Sequence, residues 1–213
     1  MRPRRLFIAG STGATGRFVT AEARARGIPV VPHARPKSAT KAPGAAVFDL
    51  SDVTALASSL RTCTTILQLI GTMRSRFAAG DTYETSDIGT TRQLVESGRE
   101  AGIDHVILLS SAGAGKPRGA YLRAKAEAER LCLDSGIPAT VFRPSFLDGP
   151  GRRAPLWAKA LISPWGPRWR VMPLEVLSRT MLQVAVNRTH LGELLEGRPL
   201  WDAVAEAQGF RRP

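Results

Sequence analysis

Gly10-Ser11-Thr12-Gly13-Ala14-Thr15-Gly16-Arg17 is the stretch on which the fold turns. It follows a short apolar run at residues 5–9 and opens a segment, 14–26, with helical spacing. Glycines at the first, fourth and seventh places of a strand-to-helix turn form a dinucleotide-binding fingerprint. Gly10 permits the tight turn, Gly13 lets the backbone approach a pyrophosphate, and Gly16 lets helix and strand pack closely. Loop N–H groups and the positive end of the helix dipole then face the anion. Gly10, Ser11, Thr12, Gly13, Ala14, Thr15 and Gly16 are therefore candidate cofactor-binding residues.

Outward from this loop, short apolar runs alternate with longer amphipathic stretches. Strands are expected at residues 5–9, 30–33, 45–48, 65–69, 105–109 and 139–142. Helices are expected at 14–26, 52–60, 86–101 and 121–135, with closing helices at 174–186 and 200–207. Gly27, Gly102 and Gly136 each sit just past a helix, where a left-handed cap favours glycine. The alternation predicts an α/β fold, a doubly wound parallel sheet flanked by helices. Residues 1–213 read as one domain, with 146–213 forming a small helical and loop-rich region on the substrate side.

Composition narrows the class. The chain has 213 residues, 43% of them hydrophobic and 23% charged, which suits a globular domain. No apolar run approaches the ~20 residues that span a bilayer. The basic start is followed too soon by glycine to read as a signal peptide, so a cytoplasmic protein is expected. Two cysteines, Cys63 and Cys132, and three scattered histidines lack the spacing of a disulfide framework or a metal site, and no metal is expected. The 30 basic residues, 25 of them arginine, outnumber 18 acidic ones and give a net charge of +12. They are spread along the chain among few aromatics, which argues against nucleic acid as the partner and for an anionic cofactor or substrate.

The segment after the second predicted strand, Ala34-Arg35-Pro36-Lys37, has no acid to bind ribose hydroxyls. Arg35 and Lys37 instead suit a 2′-phosphate, which favours NADP(H) over NAD(H). Asp49-Leu50 follows the third strand. Asp49 either meets the adenine or caps the next helix. Tyr121 and Lys125 stand four apart on one helix face, and a nearby ammonium favours the phenolate. Ser110 and Ser111 end the fifth strand, where a serine hydroxyl polarises a substrate carbonyl.

The segments 10–17, 70–72, 106–113, 121–127 and 142–149 together resemble an atypical short-chain dehydrogenase/reductase of the NAD(P)-binding Rossmann type, similar to the Tat-interacting-protein-like oxidoreductases. Residues 170–181 are similar to the closing element of that family. The resemblance implies catalytic roles for Ser111, Tyr121 and Lys125, with Ser111 the better fit of the serine pair. It also places Gly71 and Thr72, Tyr121 and Lys125, and Pro144 and Ser145 beside the cofactor. Where that family carries an asparagine before the fifth strand, this chain has Ser86, Asp87 and Thr90.

The expected activity is hydride transfer between NADPH and a small carbonyl substrate. Two other readings stand beside it: a non-catalytic NADP(H)-binding regulatory or assembly protein, and an epimerase or dehydratase with bound NAD. A monomer or homodimer is expected, without a membrane partner. Residues 73–80 read as a lid. Trp157, Trp165, Trp169 and Trp201 form either a substrate wall or packing for the closing helices. Arg152 and Arg153 either meet an anionic substrate or remain solvated.

Overall fold

The computed structural model describes residues 4–71, 82–155 and 166–209. Its strands are β1 (Leu6–Ala9), β2 (Val30–Ala34), β3 (Ala46–Val47), β4 (Thr65–Gln68), β5 (His105–Leu109), β6 (Ala139–Arg143), β7 (Leu147–Asp148), β8 (Met172–Pro173) and β9 (Leu194–Glu196). Its α-helices are α1 (Ala14–Ala25), α2 (Val53–Leu60), α3 (Thr90–Glu100), α4 (Gly119–Leu133), α5 (Leu174–Asn187) and α6 (Arg198–Gly209). Seven strands form one parallel sheet in the order β3-β2-β1-β4-β5-β6-β9. The order reverses between β1 and β4, which opens a crevice outside their carboxyl ends.

Burial on both faces explains why the central strands are largely apolar. Leu6 and Ile8 join one core layer with Val19 of α1 and Leu177 and Met181 of α5. Phe7 and Ala9 point the other way, into a layer with Leu56 and Leu60 of α2 and Leu94 of α3. Each fully buried leucine or isoleucine contributes about 1.5–3 kcal/mol relative to exposure. Cys63 and Cys132 are free thiols inside the structure. Gly27, Gly102 and Gly136 all take positive φ at helix ends.

Some elements differ from the sequence expectation. The helix expected from residue 86 begins as a π-helical turn, Glu84–Gly89, before α3. The Thr90 hydroxyl donates to the Ser86 carbonyl and the Thr91 hydroxyl to that of Asp87 at 2.6 Å, satisfying carbonyls of that wider turn. Strand β9 and the short β7–β8 pair were not anticipated, since each spans only two or three residues. Trp201 packs within the closing region: its indole N–H donates to the Pro167 carbonyl at 2.9 Å, and the Arg170 guanidinium lies 5.0 Å from its ring centre. Arg152 and Arg153 are exposed. Thr72, the segment 73–80, Trp157 and Trp165 lie outside the described residues. No helix among the described residues is long and apolar enough to cross a membrane.

Candidate functional site

The carboxyl ends of β1, β2, β3 and β4 surround a cleft of about 750 Å³. Gly10, Thr12 and Gly13 form its β1 side. Gly10 has φ +86°, and a Cβ there would stand 3.1 Å from the Ile70 nitrogen. The Gly13 N–H donates to the Gly10 carbonyl at 3.0 Å. At Gly16 a Cβ would lie 2.1 Å from the Gly10 oxygen, so helix α1 can leave the strand at this angle only with glycine there. The Ser11 hydroxyl is turned away and donates to the His33 carbonyl at 2.8 Å, pinning the loop to β2. Ala14, Thr15 and Gly16 form the first turn of α1. That turn has no side-chain cap and no acidic residue, leaving its N–H groups and dipole to an anion.

Arg35, Lys37 and Lys41 line the β2 side of the cleft, around a 3-10 turn at Pro36–Lys41. Asp49 and Leu50 line it after β3. The Asp49 carboxylate accepts from the Ser51 N–H at 3.0 Å and the Ser51 hydroxyl at 2.9 Å, which lowers its pKa below the usual carboxylate value. The helix cap is instead Asp52, which accepts from the Ala55 N–H at 3.0 Å. Asp49 therefore shapes the cleft wall and does not cap α2.

His33 and Lys41 line the cleft without having been singled out in the sequence. His33 stacks on Phe7, packs against Phe48, and its Nε2 lies 2.9 Å from the Phe48 carbonyl. Burial lowers its pKa. A lone histidine in an apolar strand carries no local signal of such a position.

Gly71 closes the cleft at the end of β4, directly above Lys125. A Cβ on Gly71 would stand 3.1 Å from Lys125 Nζ. That ammonium is 2.8 Å from Asp87 Oδ1 and makes longer bonds to the carbonyls of Leu109, at 3.3 Å, and Ile70, at 3.4 Å. Tyr121, one turn earlier on α4, is half-buried with its ring 5.8 Å from that of Tyr83.

The two serines after β5 have different environments. Buried Ser110 donates to Glu129, which also accepts from Arg143 Nε at 2.8 Å. Arg143 Nη1 reaches Glu196 of β9 at 3.1 Å, and Glu196 receives Arg168 Nε at 2.7 Å. Among the described residues, the hydroxyl of half-buried Ser111 makes only a 3.5 Å contact, to the Ala112 carbonyl. Ser110 is thus part of an interior network, while Ser111 is not. Pro144 and Ser145 lie beyond the lining of the cleft, at the end of β6. The Pro144 carbonyl accepts from Ala112 N–H at 2.9 Å, and the Ser145 hydroxyl donates to the Arg170 carbonyl at 2.7 Å.

Residues 10–157 match the family described as NAD(P)H-binding. The chain belongs to that family. A curated relative, the chloroplastic divinyl chlorophyllide a 8-vinyl-reductase of Oryza sativa subsp. indica, is 30% identical over 161 residues. That match covers 66% of this chain and 39% of the relative. Among solved structures, the Bordetella bronchiseptica enzyme WbmH in complex with NAD+ superposes with a TM-score of 0.70 at 15% identity, over 99% of this chain and 84% of that one. The UDP-glucuronic acid 4-epimerase from Bacillus cereus in complex with NAD gives a TM-score of 0.65 at 18% identity, over 91% and 78%. The match shows an NAD(P)H-binding chain, and the solved structures share its Rossmann-type fold.

Proposed function

We propose that this protein is an NADP-dependent reductase of a small carbonyl compound. The observation that carries the cofactor choice is the meeting of Arg35, Lys37 and Lys41 on one side of the cleft, with no acid at the end of β2. Three cations there suit a 2′-phosphate, whereas an NAD site uses a carboxylate to hold the ribose hydroxyls. The glycine loop and the first turn of α1 would hold the pyrophosphate, and Asp49 and Leu50 would border the adenosine side. When bound, the reduced nicotinamide supplies a hydride, two electrons and a proton's mass, to the substrate carbon.

The chain's own groups supply the rest. Ser111 donates a hydrogen bond to the substrate oxygen. Tyr121 gives that oxygen its hydroxyl proton, so the carbonyl becomes an alcohol and the phenolate regains a proton from water. Proton transfer of this kind contributes about 10²–10⁴-fold. The rice relative is a vinyl reductase by name, which supports the reductive direction and makes an activated alkene a second substrate class to try.

The test is NADPH oxidation by the purified protein against aldehydes, ketones and activated alkenes, with Tyr121→Phe in parallel. Turnover with a carbonyl, lost by about a hundredfold or more in Tyr121→Phe with NADPH binding retained, is the expected result. Equal turnover in that variant would remove Tyr121 from the mechanism.

A further inference from the structure

Gln68 is the last residue of β4 and is 1% exposed. A primary amide in the interior is costly unless its hydrogen bonds are made. Here they are: Oε1 accepts from the Ile70 N–H at 3.1 Å, and Nε2 donates to the hydroxyls of Thr90 at 3.1 Å and Thr91 at 3.0 Å. The contacts also fix which end of the amide is which. The Ile70 N–H can only donate, and both threonine hydroxyls direct their protons to carbonyls, of Ser86 and Asp87.

The donors therefore run in one direction, from Ile70 through Gln68 and the two threonines to the π-helical turn Glu84–Gly89. Turns of this kind often mark functional positions. Leu69, Ile70 and Gly71 line the cleft on one side of this relay, and Thr85, Ser86 and Thr90 line it on the other. Gln68 ties together two wall segments that are far apart in the sequence. Neither Gln68 nor Thr91 lines the cleft itself. If burial were the only role of Gln68, an apolar side chain of the same length would serve.

We propose that Gln68 is a positioning residue for dinucleotide binding. Through Thr90 and Thr91, its amide holds the Ile70–Gly71 backbone and the π turn at the separation that a dinucleotide in the cleft requires. Its action falls on the β4 side of the cleft, not on the β2 side where Arg35, Lys37 and Lys41 stand, so it bears on NADPH and NADH alike. This inference rests on the cleft being the NAD(P)H site.

Calorimetry on the full chain gives the affinities for NADPH and NADH in wild type, Gln68→Met, Thr91→Val and the double variant, with urea midpoints measured alongside. Gln68→Met keeps the length of the side chain and removes all three hydrogen bonds. Both dinucleotides should bind about tenfold more weakly to it, as expected when one polar tie behind the site is lost. Thr91→Val changes a residue outside the cleft and should reproduce much of that loss, and the combined loss in the double variant should fall short of the product of the single ones. Hydrogen exchange of the Ile70 N–H, read without cofactor, should quicken in Gln68→Met more than exchange in β1. A merely structural glutamine would lower the urea midpoint and leave both affinities of the folded protein unchanged, and that result overturns the proposal. A loss confined to NADPH overturns it too, because the effect would then lie on the phosphate side. Should Gln68→Met not fold, Thr91→Val carries the same test. A wild-type chain that binds neither dinucleotide refutes the cleft as the NAD(P)H site, and the role of Gln68 falls with it, whereas wild-type binding that no variant weakens refutes Gln68 alone.

Discussion

Lys125 Nζ and Asp87 Oδ1 are 2.8 Å apart on two different helical segments, both side chains buried at the end of the central strands. Removing one member leaves an uncompensated interior charge, which costs about 3–5 kcal/mol. Urea unfolding at pH 7 should show a loss of that order for Lys125→Met, and a much smaller loss for Asp87→Asn combined with Lys125→Met. Equal losses in the single and double variants would mean that the two groups are not coupled.

The glycine loop offers a steric prediction. Gly16→Ala places a methyl 2.1 Å from the Gly10 oxygen and 2.8 Å from the Ser11 Cα, against backbone that cannot rotate away. Overpacking of this kind costs about 1–3 kcal/mol or more, and here it also displaces the turn that faces the cleft. The expected outcome is a lower urea midpoint together with lost NADPH binding. A variant that keeps both would show that the Gly10 oxygen stands farther than 2.1 Å from a Cβ on residue 16.

Those glycines show how far the sequence could be read. Gly13 and Gly16 have steric jobs set by near neighbours in the chain, Gly10 and Ser11, so the loop and the first helix follow from residues 5–26, while the close approach of Gly10 to Ile70 depends on the fold. Gly71 came from the family resemblance, whereas Arg35, Asp49 and Leu50 were legible because they follow predicted strands whose ends face the crevice. The partner of Lys125 was not. Asp87 reaches it only because the chain widens into a π turn, and nothing in Ser86-Asp87-Ile88-Gly89 announces that. Glu196 was equally hidden: β9 is three residues long, and its pairing with β6 comes from tertiary contact with Arg143, not from periodicity.

That hidden network gives a second stability prediction. Glu129 is 3% exposed and holds both Ser110 and Arg143. Glu129→Ala removes one of the two carboxylates that Arg143 contacts and takes the acceptor from the buried Ser110 hydroxyl, and should cost about 1–3 kcal/mol. Because Arg143 also contacts Glu196, hydrogen exchange at 194–196 should quicken in the variant more than exchange at β1. Uniform quickening across the sheet would argue against a local tie.

His105 sets a limit towards acid. It is fully buried at the start of β5, with Nε2 2.8 Å from the Thr140 hydroxyl oxygen, which itself donates to the His190 carbonyl at 2.7 Å. Thr140 thus accepts from Nε2–H, the neutral tautomer. Burial, with help from Arg188, pushes the His105 pKa from 6.5 down to about 4. The folded protein binds this proton less readily than the unfolded chain. Stability from this group is therefore intact above about pH 6.5 and falls as the pH drops towards 4, by about 3 kcal/mol in all. Unfolding free energies at pH 7, 5.5 and 4.5 should trace that slope, and His105→Leu should flatten it. An unaltered slope in His105→Leu would assign acid sensitivity to other groups.

Calorimetric titration of the full chain with NADPH and with NADH at one salt concentration tests the basic side of the cleft most directly. Arg35, Lys37 and Lys41 should give NADPH at least about tenfold tighter binding, since a charge-assisted contact to phosphate is worth about 1.5–3 kcal/mol. Lys41→Ala should erode that advantage while leaving NADH affinity unchanged. NADH binding as tightly as NADPH, or more tightly, would contradict the assignment and turn the cleft towards an NAD-retaining epimerase chemistry.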